Sequence, residues 1–321
     1  PESLLRLLES VKEQTLYPNE IIIIDGSIDD LTTDILNKNE FLNLIYYKVK
    51  ENNRGLTKQR NFGVSKTAKD TDIISFLDDD TVLSSNYFET LIKTFVSSND
   101  ITGVGGLAIN ENRWQNIDYN KKYNKYKYLK FENFVLKESS RNVLRKRLGL
   151  ISPYHYGVMP EFSNGRTTSF PFNGKTYEVD MLIGMSFSFR KKVLDKIKFS
   201  TYFEGYGLYE DSDFCIRAQK IGKNVINTNL QLYHYHCPTG RPNKYKYGKM
   251  VVRNGWYVWR LKYPNPSLKA RIKWNIILFL LTIIIFGNII TKNKPKESFL
   301  EFLGRVIGWF SVLFNKPKII R

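Results

Sequence analysis

The chain has 321 residues with 49 Lys and Arg against 31 Asp and Glu, a formal net charge of +18, and its 42% hydrophobic and 14% aromatic content excludes a disordered polypeptide. Two cysteines, Cys215 and Cys237, are too few and too poorly spaced for a disulfide scaffold or a cysteine-based zinc site, which fits a reducing, cytoplasmic setting. The basic balance calls for an anionic partner, which nucleic acid, an anionic membrane surface or a phosphorylated small molecule would each supply.

The chain begins at Pro1, without Met, directly on a helical pattern of Leu4, Leu5, Leu7, Leu8 and Val11 over residues 3 to 14, so a truncated start is expected. Ile21 to Ile24 read as a strand buried on both faces, ending at Asp25 with the turn residues Gly26 and Ser27. Helices are predicted over 29 to 38 and 57 to 68, with a strand at Leu44 to Val49 between them. A second buried strand, Ile73 to Leu77, precedes a helix over 86 to 97, and "GVGGLAI" at 103 to 109 reads as a further strand. This alternation predicts an α/β fold with a mainly parallel sheet, in which ligands sit beyond the carboxyl ends of the strands. Asp25 and the triplet Asp78, Asp79 and Asp80 stand at such ends.

Residues 119 to 148, with ten basic and two acidic residues among many tyrosines, read as a helical insertion, either a solvated face or a binding stripe. A helix starts near Asp211, with Phe214, Ile216, Ala218 and Ile221 apolar, and stops at Gly222. Residues 239 to 273 carry ten Lys or Arg and no acid, and the apolar run Trp274 to Ile290 follows. Seventeen helical residues span about 26 Å, slightly short of the roughly 30 Å hydrocarbon core. A helix crossing or lying in an anionic leaflet and a buried helix of a C-terminal subdomain are both open; 299 to 314 reads as an amphipathic partner helix.

Three adjacent carboxylates repel one another unless a cation compensates, and a hard divalent ion, Mn2+ or Mg2+, takes such ligands together with substrate phosphates. Alternation lets Asp78 and Asp80 face one ligand while Asp79 faces elsewhere. The bland alternative is an acidic turn capping the helix near Asn86. Arg54, Lys58 and Arg60, around a helix start eased by Gly55, suit a diphosphate or a base edge, though arginines on helix surfaces are common. Glu210 and Asp211 fit either catalysis or acids at a helix N-terminus. His234 and His236, on one face of a strand, suit zinc ligation, but beyond Cys237 nothing nearby in sequence completes a site; a structural histidine is the alternative.

Five segments in order, "SLLRLLESVKEQTLYPNEIIIIDGSIDD", "NNRGLTKQRNFG", "ISFLDDDTVLSSNYFETL", "GMSFSFRKKVL" and "GYGLYEDSDFCIRAQKIG", resemble glycosyltransferase family 2 on a GT-A fold, over roughly residues 1 to 240. The resemblance implies that Asp25 reads the nucleotide base and that Arg60, with Arg54 and Asp79 in the same site, contacts the nucleotide sugar. It implies that Asp78 and Asp80 hold the ribose and the metal on the diphosphate, with His234 in the metal shell. It makes Asp211 the catalytic base and Glu210 its neighbour at the acceptor site. The first strand of the family is not represented, and its paired Asp after the second strand is here Asp25 followed by Gly26.

The expectation is a GT-A domain over 1 to 240 and a basic, membrane-associated or single-pass region over 241 to 321 at the cytoplasmic face. The implied reaction is metal-dependent, inverting transfer from a nucleotide-diphosphate donor, with UDP expected, to a glycan or lipid-linked acceptor in cell-surface polysaccharide or glycoconjugate synthesis. Nucleic acid is not among the implied partners. The rival readings are a sugar nucleotidyltransferase, for which no Gly-rich loop with Lys is visible, and a nucleic-acid-binding protein using the Tyr and Lys/Arg stretches.

Overall fold

A computed structural model describes residues 1 to 236 and 242 to 320; Cys237 lies outside the described residues. The chain forms two compact units, Pro1–Asn112 with Phe172–Thr239, and Arg113–Pro171 with Gly240–Arg321.

The first unit opens with α1 (Glu2–Lys12), β1 (Ile21–Asp25), α2 (Leu31–Asn37), β2 (Leu44–Lys48) and α3 (Leu56–Val64). It continues through β3 (Ile73–Leu77), β4 (Thr81–Leu83), α4 (Tyr87–Val96) and β5 (Ile101–Ala108). The second unit then takes β6 (Gln115–Asn116), β7 (Tyr128–Phe131), β8 (Phe134–Lys137) and α5 (Ser140–Arg147). Back in the first unit come β9 (Thr176–Val179), β10 (Ser186–Arg190), α6 (Lys191–Leu194), α7 (Glu210–Ala218) and β11 (Lys223–His234). The long helices α8 (Lys244–Lys262), α9 (Leu268–Thr291) and α10 (Pro295–Phe314) complete the second unit.

The first unit is a mixed α/β fold. Its larger sheet runs β3-β10-β5-β11-β4, with β9 also on β11. β5 and β11 are parallel, and β10 runs antiparallel to both β3 and β5, so β3, β5 and β11 all point the same way. Their carboxyl ends therefore lie at one edge, where residues 78 to 80, 110 to 111 and 234 emerge. Every residue of β5 is buried, and its glycines are what allow that. A Cβ at Gly103 would lie 2.4 Å from Asn224 Oδ1 and 2.7 Å from the Phe189 ring. The core around this sheet joins Tyr87, Phe95, Val104, Leu230 and Leu232, and Phe199 stacks on Phe214 with ring centres 4.2 Å apart.

β1 and β2 form a separate parallel pair, registered from Ile21 on Leu44 to Asp25 on Lys48. The four isoleucines are half-buried rather than enclosed on both faces; among the described residues the strand has one ladder partner.

The second unit corrects the expectation of a helical segment over 119 to 148. β7 and β8 pair as a hairpin, with Glu132 at φ 50° in the tight turn, and only Ser140–Arg147 is helical. "YLKFENFVLK" supplies the reason: aromatic and β-branched residues flank a Glu-Asn turn, and Val135 and Leu136 are buried. Among the three long helices, α8 and α10 approach backbone to backbone at Gly248, Gly304 and Gly308. Trp259 stacks on Trp274 of α9 at 4.9 Å and donates its indole N–H to Glu161 O at 2.6 Å.

Candidate active site

Asp25 ends β1 and is tied down from three sides. Ser27 donates its backbone N–H at 2.7 Å and its hydroxyl at 2.9 Å, and the Tyr46 hydroxyl donates at 2.8 Å. Burial pushes the Asp25 carboxyl up, but these hydrogen bonds outweigh it and hold the group below its ordinary value. Gln59 of α3 donates to Ile24 O at 2.8 Å, which sets α3 against the end of this strand. Arg54 precedes α3, half-buried, and its Nε is shielded from solvent with no hydrogen-bond partner among the described residues.

The Asp triplet leaves β3 in a tight turn, Thr81 donating its backbone N–H at 3.2 Å and its hydroxyl at 2.8 Å to Asp78 O. Asp78 and Asp80 are half-buried and Asp79 is exposed, so the outer pair shares a side and the middle residue does not. The Asp78 side chain is 40% exposed. Its carboxyl is pushed up to about 6, by burial first and by Asp80, with Arg60 and His234 pulling the other way.

Arg60 is the hub. Its side chain, 8% exposed, forms an ion pair through Nη1 with Glu210. Nη2 donates to Gly184 O at 3.2 Å and lies 3.6 Å from Asp78 Oδ1. The guanidinium sits over the ring of Phe187 at 4.8 Å. Burial alone would loosen its proton, but Glu210 and Asp78 hold it more firmly than usual.

Glu210 and Asp211 open α7. The approach is bent by left-handed backbone at Gly205, Gly207 and Tyr209, the last at φ 73°. Such a conformation in a non-glycine residue is held only where the surroundings enforce it, as they do at many functional sites. Glu210 is buried, and among the described residues its Oε2 has no hydrogen-bond partner. Burial pushes its carboxyl up to about 8 against the pull of Arg60. Asp211 is less enclosed and accepts hydrogen bonds from Gly184 N at 3.2 Å and Ser212 N at 2.6 Å. Burial also raises Asp211, with these bonds opposing. Gly184 leaves room for the cluster, since a Cβ there would lie 3.1 Å from Glu210 Oε1.

His234 closes β11. Its Nε2 is 3.3 Å from Asp80 Oδ1 and its Nδ1 is 2.8 Å from Glu111 Oε1. Ligand atoms of Asp78, Asp80 and His234 all lie within 4.8 Å of one another. The donor set of two carboxylates and an imidazole fits a divalent cation. Among the residues singled out in the sequence, Asp78, Asp80 and His234 come together, and Arg60 joins Asp78 to Glu210. Asp25 stands on the other sheet, linked through α3. Glu111 and Gly184 were not singled out. Glu111 lies just past the carboxyl end of β5, the same position rule that points to Asp25 and Asp78.

The pattern of glycosyl transferase family 2 matches residues 1–198, more than half of the chain. The chain belongs to this family. The family 2 match ends before α7, and Glu210, Asp211 and His234 lie beyond it. An O-antigen chain rhamnosyltransferase of Salmonella typhimurium is 34% identical over 80 residues, 25% of this chain and 24% of the relative. A glucosyl-dolichyl phosphate glucuronosyltransferase of Haloferax volcanii is 27% identical over 109 residues, 34% of each chain. The alignments thus span about a quarter and a third of these relatives. A mannosyltransferase from Pyrobaculum calidifontis, solved with GDP-Man and Mn2+, superposes with a TM-score of 0.50 at 11% identity. It covers 98% of this chain and 84% of its own. At that identity the likeness establishes the GT-A fold of this family 2 chain and nothing of its substrates.

Proposed function

We propose that the protein is a metal-dependent, inverting glycosyltransferase that moves a sugar from a nucleotide-diphosphate donor, with UDP the expected nucleotide, to a glycan or lipid-linked acceptor. The observation that carries this reading is the meeting of Asp78, Asp80 and His234 beside the Arg60–Glu210–Asp211 cluster. A pocket that brings ligands for a cation next to a raised carboxyl has the parts that inverting sugar transfer requires.

Asp25, held ionised by Ser27 and Tyr46, is an acceptor for the N–H edge of a base. Arg54 and Arg60 are the cationic groups on the nucleotide side, and the exposed Asp79 lies at the rim of the same turn. Asp78, Asp80 and His234 would hold Mn2+ or Mg2+, which when bound neutralises the diphosphate as it departs. Asp211 takes the proton of the acceptor hydroxyl as that oxygen attacks the anomeric carbon from the face opposite the leaving diphosphate. Its two accepted N–H bonds, from Gly184 and Ser212, fix the carboxylate's orientation. Glu210, ion-paired and buried, positions Arg60 and the start of α7.

The second unit supports work at a membrane. α9 has 24 residues, about 36 Å at 1.5 Å per residue, and a mean hydropathy of 2.2 over its most apolar stretch. Ile272, Ile276, Phe279, Ile283, Phe286 and Ile290 are exposed along it, and Lys269, Arg271 and Lys273 precede its apolar part. We therefore place the protein on an anionic cytoplasmic leaflet, where a lipid-linked acceptor would be met.

Screening nucleotide sugars for thermal stabilisation and for hydrolysis, with and without Mn2+, tests the reading. One nucleotide-sugar class should stabilise the protein only with the metal. Equal responses with and without metal across all donors would contradict it.

A further inference from the structure

The imidazole of His234 looks two ways, and its second side faces a cluster that the transfer reaction does not use. Asn110, just past β5, donates to His234 O at 2.7 Å and accepts its backbone N–H at 3.0 Å. That clamp sets the neighbouring Glu111 against the end of β11. Beyond the strand, His236 adopts φ 51°, which folds its ring back onto His234 with ring centres 4.0 Å apart. Glu111 Oε1 then lies 2.8 Å from His234 Nδ1 and 2.9 Å from His236 Nε2. Two imidazole nitrogens converge on one carboxylate oxygen.

We infer that Glu111, His234 and His236 form a second divalent-metal site, suited to zinc rather than to the hard cations of the Asp78–Asp80 site. Two imidazoles and a carboxylate are a recurrent three-ligand set for zinc, with metal–ligand distances of about 2.0–2.2 Å. Tetrahedral ligands at that radius stand about 3.3 Å apart. The two short edges here, 2.8 and 2.9 Å, need open by only a few tenths of an ångström. Mg2+ and Mn2+ favour oxygen-rich shells, so this nitrogen-rich set discriminates against them. The other nitrogen of His234, 3.3 Å from Asp80 Oδ1, completes a carboxylate–imidazole–metal arrangement of the kind that orients zinc-bound histidines.

This arrangement couples the two sites. Zinc on Nδ1 displaces the proton there and leaves the N–H on Nε2, donated to Asp80. The same nitrogen then has no lone pair for a cation held by Asp78 and Asp80. Zinc is therefore an inhibitor that raises the Mn2+ requirement of the donor site. The zinc site stands on its own geometry, whereas the coupling rests on the donor-site reading above.

Equilibrium dialysis of the untagged full chain against ZnCl2, in millimolar Mn2+, tests the site. One zinc equivalent is expected, bound roughly tenfold or more weakly by His236→Ala and by Glu111→Gln. Both side chains lie at the rim, 54% and 44% exposed, and far-UV circular dichroism checks that the fold persists. Titrating Mn2+ against UDP binding with and without zinc tests the coupling. The Mn2+ midpoint should rise severalfold with zinc in the wild type and stay put in His236→Ala. Zinc affinity unchanged in both variants would overturn the site. Zinc bound as expected without a shift in the Mn2+ midpoint would overturn the coupling.

Discussion

At the start of α7 two adjacent acids meet different surroundings: Glu210 is buried against Arg60, while Asp211 receives two backbone N–H bonds and is half-buried. In the proposed reaction the first positions Arg60 and the second acts as the base. Asp211→Asn should lower transfer by about 10²–10⁴-fold with metal-dependent donor binding retained, measured by turnover and by calorimetric titration. A base must be unprotonated, and burial raises Asp211 above its ordinary 3.8. Transfer should therefore fall on the acid side through that raised pKa, and the residual rate of the variant should lose this limb. A second residue reports on the core. Tyr87 is fully buried with its hydroxyl 2.6 Å from Ser186 Oγ, and burial pushes it from 10.0 up to about 12. The raised folded pKa makes its stabilisation complete below pH 10 and lost as pH rises toward 12. Urea unfolding across that window should show a decline that is larger in the wild type than in Tyr87→Phe by up to about 3 kcal/mol.

Elements hold where small residues let backbones close in. A Cβ at Gly304 would lie 2.1 Å from Tyr245 O, and one at Gly248 2.3 Å from Glu301 O. Gly304→Val forces α8 and α10 apart and should cost about 1–3 kcal/mol, seen as a lower Tm. β1, β2, β3 and β5 and the helices α1 to α4 and α7 were legible because their signals are local, such as four isoleucines before Asp25 and "IISFL" before the triplet, whereas β4, β6, β9 and α8 were not singled out. The β7–β8 hairpin was not, because a Tyr and Lys composition suits either period and the deciding burial of Val135 and Leu136 is tertiary. The site divides in the same way. Asp78, Asp80 and Arg60 carry motif and position signals. Glu111 meets His234 across 123 residues, a pairing that only the β5–β11 neighbourhood creates.

For the whole molecule, the proposed membrane placement rests on a net charge of +18 and the exposed apolar face of α9. The protein should float with vesicles containing anionic lipid and be weakened, not released, by high salt, because salt screens the lysines and leaves apolar burial intact. Replacing Ile276, Phe279 and Ile283 by Asp should cut binding about tenfold or more; flotation unaffected by these charges would remove α9 as the contact. Against that basic background, the small acidic patch at 78 to 80 is where a cation and a diphosphate would be held. The most direct test is calorimetric titration of UDP in Mn2+ into wild type, Asp80→Asn and Asp211→Asn. Binding should be at least tenfold weaker in Asp80→Asn and as in the wild type in Asp211→Asn, whose transfer is nearly lost. Unchanged, metal-dependent UDP binding in Asp80→Asn would contradict it.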